Sequence, residues 1–171
     1  MSMLMLIKNT PTWVWILLIF LILRGIKALQ DREMRPDRLF LLPIVFFVWS
    51  VYAVLLETTF QASALLALAV GIVTGIAVGW VLWCSQPRLR TKPGTDLVIN
   101  PGSPFILVLI LITFCTKFAL SATLATHPPL LYSFSFNLLF GFVSGLLDGI
   151  FWGRTLNLFV PYYQNRQTNK G

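Results

Sequence analysis

Side chains that do chemistry are scarce in this 171-residue chain: one histidine, two cysteines and six acidic residues. Charged residues make up 11% of it and apolar residues 57%, where an ordinary soluble domain has about 25% and about 45–50%. A soluble globular fold does not account for this composition. Disorder is excluded as well, because it needs low hydrophobicity and high charge, and the mean hydropathy here is +0.79. Cys84 and Cys115 lie in different apolar blocks and form no C-x-x-C pair, which argues against a disulfide framework or a thiol-redox centre. Both are expected to be buried small apolar residues. There is no phosphate-binding glycine loop, no H-E-x-x-H and no nucleophile elbow. No motif implies a cofactor or a metal ligand set, and a non-catalytic role is expected.

What the sequence has instead is long apolar blocks. Five of them, at about 12–29, 38–56, 60–84, 104–125 and 132–159, approach the roughly 20 residues that a hydrocarbon layer of about 30 Å requires. They predict an all-α fold, a polytopic membrane bundle of five transmembrane helices forming one transmembrane domain over residues 1–171. The first block has Arg24 and Lys27 after it and no small-residue cleavage site, so it reads as a retained helix rather than a signal peptide. Asp37 is the expected N-cap of the second span, with Pro43 near the start of that helix. Glu57, at the short turn into the third span, reads as a solvated helix end. Lys92-Pro93-Gly94-Thr95 is a turn candidate between Leu89-Arg90-Thr91 and Leu97-Val98-Ile99. Segment 88–99 therefore either closes a small cytoplasmic β-hairpin or remains a solvated loop.

The net charge of +7 is distributed by connection. Arg24, Lys27, Arg32, Arg35 and Arg38 fall between the first two spans, Arg88, Arg90 and Lys92 between the third and fourth, and Arg154, Arg166 and Lys170 on the C-terminal side. The opposite side has Lys8 alone. Basic residues confined to alternate connections give orientation, with the N-terminus outside and the C-terminus cytoplasmic, rather than a groove-tracking patch for nucleic acid. Trp13, Trp15 and Tyr132 would form one aromatic belt, and Trp80, Trp83, Trp152, Tyr162 and Tyr163 the other. The expected partner is the lipid bilayer, with anionic headgroups within reach of the basic connections.

Spans three and five carry small residues every four positions. Ser63, Ala67, Gly71, Gly75 and Gly79 recur in one, and Ser133, Asn137, Gly141, Gly145, Gly149 and Gly153 in the other, offset by 70. Such spacing fits a glycine zipper, and the shared register is what a duplicated helical hairpin would leave. Glycine lowers helix propensity, so its recurrence needs a return, which in lipid is close backbone approach. Whether the ladders pack within the chain, seam a homo-oligomer or line a pore stays open at this point, and the bundle as a whole admits a homo-oligomer or a membrane-protein partner.

Two ionisable residues sit inside spans: Lys117 and Asp148. Lys117 shares a helix face with Thr113 and Ser121, and Asp148 shares one with Asn137, Ser144, Gly141 and Gly145. Their depths differ by about 8 Å at about 1.5 Å per residue, within the reach of a lysine side chain. A lone charge at mid-bilayer costs about 2.5–3.5 kcal/mol on insertion scales. Three readings follow: an ion pair that fixes how spans four and five dock, a substrate-binding or proton-relay site of a small permease, or two residues snorkelling independently.

Thr10-Pro11 with Trp13-Val14-Trp15, Arg38 with Leu42-Pro43, Ser50 with Tyr52, Pro101-Gly102-Ser103, Thr116-Lys117, and Gly141 with Gly145 together resemble an uncharacterised family of small bacterial inner-membrane proteins. More loosely they resemble the CcdC-like proteins linked to cytochrome c maturation. The resemblance implies a five-helix bundle in a bacterial inner membrane and supplies no activity. If the basic connections share one side, reporter fusions within 29–35 and within 88–95 will report the same compartment; opposite compartments, or fewer crossings, would overturn the five-span reading.

Overall fold

The structure is a computed structural model that describes residues 12–27, 29–30, 32–84, 90–91, 98–100 and 103–168. The described residues form a bundle of five α-helices: α1 (Thr12–Lys27), α2 (Leu41–Glu57), α3 (Gln61–Trp83), α4 (Pro104–Thr126) and α5 (Phe134–Thr168). Among the described residues, four segments are long and apolar enough to cross a membrane: Arg38–Glu57, Gln61–Trp83, Pro104–Thr126 and Phe134–Pro161. The 16 described residues of α1 cover about 24 Å. Thr10 and Pro11, ahead of this helix, lie outside the described residues.

Local chemistry sets the helix ends. Asp37 does not cap α2, because Pro36–Phe40 first forms a 3-10 turn and the α-helix starts after it at Leu41. Pro43 consequently falls in the first turn of α2, and the Leu39 carbonyl four residues before it, which a proline cannot meet, accepts the Thr155 hydroxyl at 3.5 Å. The chain then reverses within residues 58–60. The Thr58 hydroxyl donates to the Val54 carbonyl at 2.6 Å and the Gln61 side-chain amide to the Leu55 carbonyl at 2.9 Å, so two carbonyls of the last turn of α2 are satisfied. At its far end α5 continues past the expected limit at 159, through Pro161, to Thr168.

Three short strands make an antiparallel sheet in the order β1-β3-β2: β1 (Arg32–Met34), β2 (Arg90–Thr91) and β3 (Val98–Asn100). β2 and β3 come from segment 88–99 and its edge, pairing Arg90 with Ile99 and Thr91 with Val98. β1 comes from the connection between α1 and α2 and pairs along the other side of β3, Glu33 opposite Ile99. The sheet thus ties two basic connections together at one end of the bundle. The turn at Lys92-Pro93-Gly94-Thr95 lies outside the described residues.

The closest helix pair is α3 with α5. Gly141 faces Ala64, Gly145 faces Leu68, Gly149 faces Ile72 and Gly153 faces Ile76, so both helices advance together and run parallel. Gly71, Gly75 and Gly79 fill the alternate positions against Phe142–Leu146, Leu146–Gly149 and Ile150. A Cβ on Gly75 would lie 2.8 Å from the Gly149 Cα, and one on Gly149 equally close to the Gly75 Cα. Side chains around this seam form two apolar clusters. One joins Leu21, Leu42, Phe46, Ile110, Phe114 and Phe151, and the other joins Ala53, Val54, Ala64, Leu68, Leu124 and Phe140. α1 packs on α4, with Gly25 against the Leu107 side chain.

Three further expectations need correction. Cys84 and Cys115 are exposed on the bundle surface rather than buried, a thiol being apolar enough to face lipid. Trp83 is not an interfacial aromatic: it is buried, edge-on to Phe105 at 5.0 Å. Arg154 does not belong to a C-terminal connection, since α5 extends well beyond it; its guanidinium is buried over the Trp83 ring at 5.9 Å. Such a stack lets an arginine shed water while keeping an electrostatic partner. Because the Gly149 contact is backbone against backbone, Gly149→Leu is expected to destabilise the bundle by about 3 kcal/mol or more in detergent unfolding. Gly25→Ala meets a side chain that can swing away and should change stability by less than about 1 kcal/mol.

Candidate functional site

Three helices bring polar groups to the middle of the bundle. α2 contributes Ser50 and, seven residues on and therefore on the same face, Glu57. α4 contributes Thr113, Lys117 and Ser121 at four-residue intervals, and α5 contributes Asp148. Aromatic contacts fix the relative heights: Phe46 of α2 stacks on Phe151 of α5 with centroids 5.0 Å apart, and Trp49 meets Phe114 of α4 at 5.8 Å.

At that height the Lys117 Nζ lies 3.0 Å from Asp148 Oδ1 and donates to the Ser50 hydroxyl oxygen. All three side chains are buried, with relative exposures of 5% for Lys117, 0% for Asp148 and 1% for Ser50. The Trp49 ring centroid is 6.0 Å from the same ammonium, at the outer limit of a cation–π contact. The arrangement gives each charge a partner of opposite sign and gives the ammonium a hydroxyl acceptor, the condition under which buried ions are tolerated. It also makes α2, α4 and α5 meet at one point.

The remaining sequence-derived residues are distributed around this cluster rather than gathered into it. Ser121 donates to Glu57 Oε2 at 2.6 Å. Glu57 is thus a half-buried acceptor and not a solvated end, which suits a carboxylate at a helix C-terminus, where the helix dipole disfavours negative charge. Thr113 is fully buried, and its hydroxyl has no hydrogen-bond partner among the described residues. Ser144 is buried one turn before Asp148. Asn137 does not reach the pair. Its amide donates to the carbonyls of Leu131 at 2.8 Å and Ser133 at 2.9 Å, pinning the 3-10 turn Pro128–Tyr132 to the start of α5. His127 caps α4, with its Nδ1 2.9 Å from the Thr126 hydroxyl. Among the described residues no group of three His, Cys, Asp or Glu is placed to hold a metal ion. The glycines Gly71, Gly75, Gly79, Gly141, Gly145, Gly149 and Gly153 all lie in the α3–α5 seam.

Two participants escaped sequence reasoning: Ser50 as a partner of Lys117, and Glu57 as a partner of Ser121. A signal was there. Ser50 is the one small hydroxyl residue of the second span, and its seven-residue spacing from Glu57 puts both on one face. Without the helix heights, however, nothing told which neighbour they would meet.

A bundle with four membrane-length apolar helices and an ion pair at mid-height defines a small helical membrane protein. The chain belongs to the Family of unknown function (DUF6622), whose model matches residues 1–166. It is similar to the uncharacterised protein PM0739 of Pasteurella multocida (strain Pm70), with 30% identity over 73 residues, 43% of this chain and 53% of that protein. The match therefore spans about half the length of that bacterial relative. No solved structure matches the chain.

Removing one partner of a buried pair leaves the other charge uncompensated, so Lys117→Ala and Asp148→Ala should each lower unfolding free energy by about 3–5 kcal/mol. Ser50→Ala, which removes one hydrogen bond to a charged group, should cost about 1.5–3 kcal/mol, measured by the same detergent titration.

Proposed function

We propose that this protein is a non-catalytic accessory or scaffold bundle of a bacterial inner membrane, with its N-terminus outside and its C-terminus cytoplasmic. Its role on this reading is to present a fixed surface to lipid and to a membrane-protein partner or a second copy. The observation that carries it is the buried Lys117–Asp148 pair with Ser50, which clamps α2, α4 and α5 at one height. The glycine zipper supports the same reading. Its two faces occupy each other inside the chain, so any homo-oligomer would have to use a different surface. Rigidity is what both features supply, and a scaffold needs rigidity more than it needs motion. The likeness to CcdC-like proteins adds nothing here, since Cys84 at the end of α3 and Cys115 within α4 are both free and do not pair with each other.

The second reading, a small permease or proton-coupled carrier using Lys117 and Asp148, is favoured by the position of the pair at mid-height. The two separate on the double variant Lys117→Met with Asp148→Leu, which replaces the pair by apolar side chains of similar size. A scaffold keeps its fold and its set of cross-linked membrane neighbours in this variant, and the parent moves no protons into liposomes beyond the empty-vesicle leak. A parent that acidifies liposomes, with that flux lost in the folded double variant, would overturn the scaffold reading.

A further inference from the structure

The outer side of the α3–α5 seam carries an open groove of about 640 Å³, lined by Ser63, Ala67 and Val70 of α3 and by Leu138, Phe142 and Val143 of α5. No residue of α2 or α4 lines it. Ser63 and Ala67 are short and stand beside bulky side chains of α5, so the surface is hollow along one helix and ridged along the other. Its rims point out of the bundle, with Leu66 70% exposed and Leu139 50%. Both helices are long and apolar enough to cross a membrane, so this surface faces hydrocarbon. From Ser63 to Val70, and from Phe134 to Val143, the groove runs roughly 10–14 Å at about 1.5 Å per residue, which is one leaflet of a layer about 30 Å thick. A partner's transmembrane helix crosses both leaflets and would use only half its length there. A lipid chain is confined to one leaflet, as the groove is.

Charge at the mouth of the groove selects the headgroup. α3 and α5 run parallel, and Phe60 meets Phe134 edge-on at 5.6 Å, so the two helix N-termini lie side by side at the Glu57 end. Phe60 gives α3 no side-chain cap, Ser133 Oγ accepts the Phe136 N–H of α5 only at 3.4 Å, and neither first turn holds an acidic residue. The leading N–H groups of both helices therefore present partial positive charge, and in a parallel pair the two dipoles add. Glu57, the acidic side chain of the described residues at that end, is turned onto Ser121 of α4, outside the groove. We propose that the groove binds one anionic phospholipid of the surrounding bilayer, with an acyl chain between α3 and α5 and the phosphate at the paired helix N-termini. The apolar lining suits the chain, and backbone N–H groups at helix starts suit the phosphate. A zwitterionic headgroup would bring an ammonium to the same positive ends and is disfavoured. The site is separate from the Lys117–Asp148 pair and independent of the scaffold role.

Native mass spectrometry tests this on the full-length chain extracted from vesicles of equal parts phosphatidylglycerol and phosphatidylcholine with the same acyl chains. The protein should retain phosphatidylglycerol about tenfold in preference to phosphatidylcholine, the combined effect of two helix ends. Ala67→Trp, which fills the groove from its own wall, should lose the retained lipid, whereas Val108→Trp, on the exposed face of α4, should keep it. A folded Ala67→Trp variant that retains the lipid like its parent would overturn the site. Equal retention of the two lipids would overturn the role of the helix N-termini and with it the proposal. A second measurement uses the unsubstituted protein in bilayers containing phosphatidylglycerol with a photoreactive group on its acyl chain. Cross-links should concentrate on residues 63–70 and 134–143. Labelling spread evenly over the exposed faces of α1, α2 and α4 would sink the proposal even if Ala67→Trp fails to fold.

Discussion

In hydrocarbon, an apolar side chain gains little by exchanging a lipid neighbour for a protein one, so helices that associate there must do so through contacts lipid cannot imitate. The α3–α5 seam is built on that constraint. Seven glycines let two backbones approach until peptide groups, not side chains, touch, and the parallel course of the helices keeps the contact in register along most of α3. A parallel pair separated by one intervening helix requires that helix to return the chain to its starting end, which is what α4 does. The positions of α2 and α4 against the seam follow from this arrangement.

The Lys117–Asp148–Ser50 cluster obeys a different rule. Its charges are costly at mid-bilayer, and their mutual attraction in a low-dielectric medium offsets that cost only when geometry and hydrogen bonding are good. Such clusters specify an arrangement more than they add stability, because any slip of α4 along α5 would separate Lys117 from Asp148 and leave both uncompensated. The seam thus supplies proximity and the pair supplies register, one through shape and the other through charge.

Arg154 and Glu57 show how charge is managed nearer the ends. Arg154 is withdrawn from water onto the face of Trp83, and Glu57 is turned inward onto Ser121. Neither behaves as a freely solvated terminus. The sheet at the opposite end from Glu57 adds a third device: by joining two loops through β3, it limits how far α2 and α4 can drift apart where they leave the bundle.

Composition and periodicity determined a great deal alone. Apolar block length dictated helices and their number, and four-residue glycine spacing marked the helices that would pack most closely. The isolation of Lys117 and Asp148 in apolar runs singled them out, because ions in such runs need partners. These are local or one-dimensional properties, legible without knowing any neighbour. The tertiary structure alone decided that the two ladders face each other, that Ser50 completes the pair, that Glu57 is engaged by Ser121, that Trp83 and Arg154 are buried together, and that both cysteines face outward. Each depends on the relative height and rotation of helices distant in sequence, quantities set by packing across the whole bundle and by no single segment of chain.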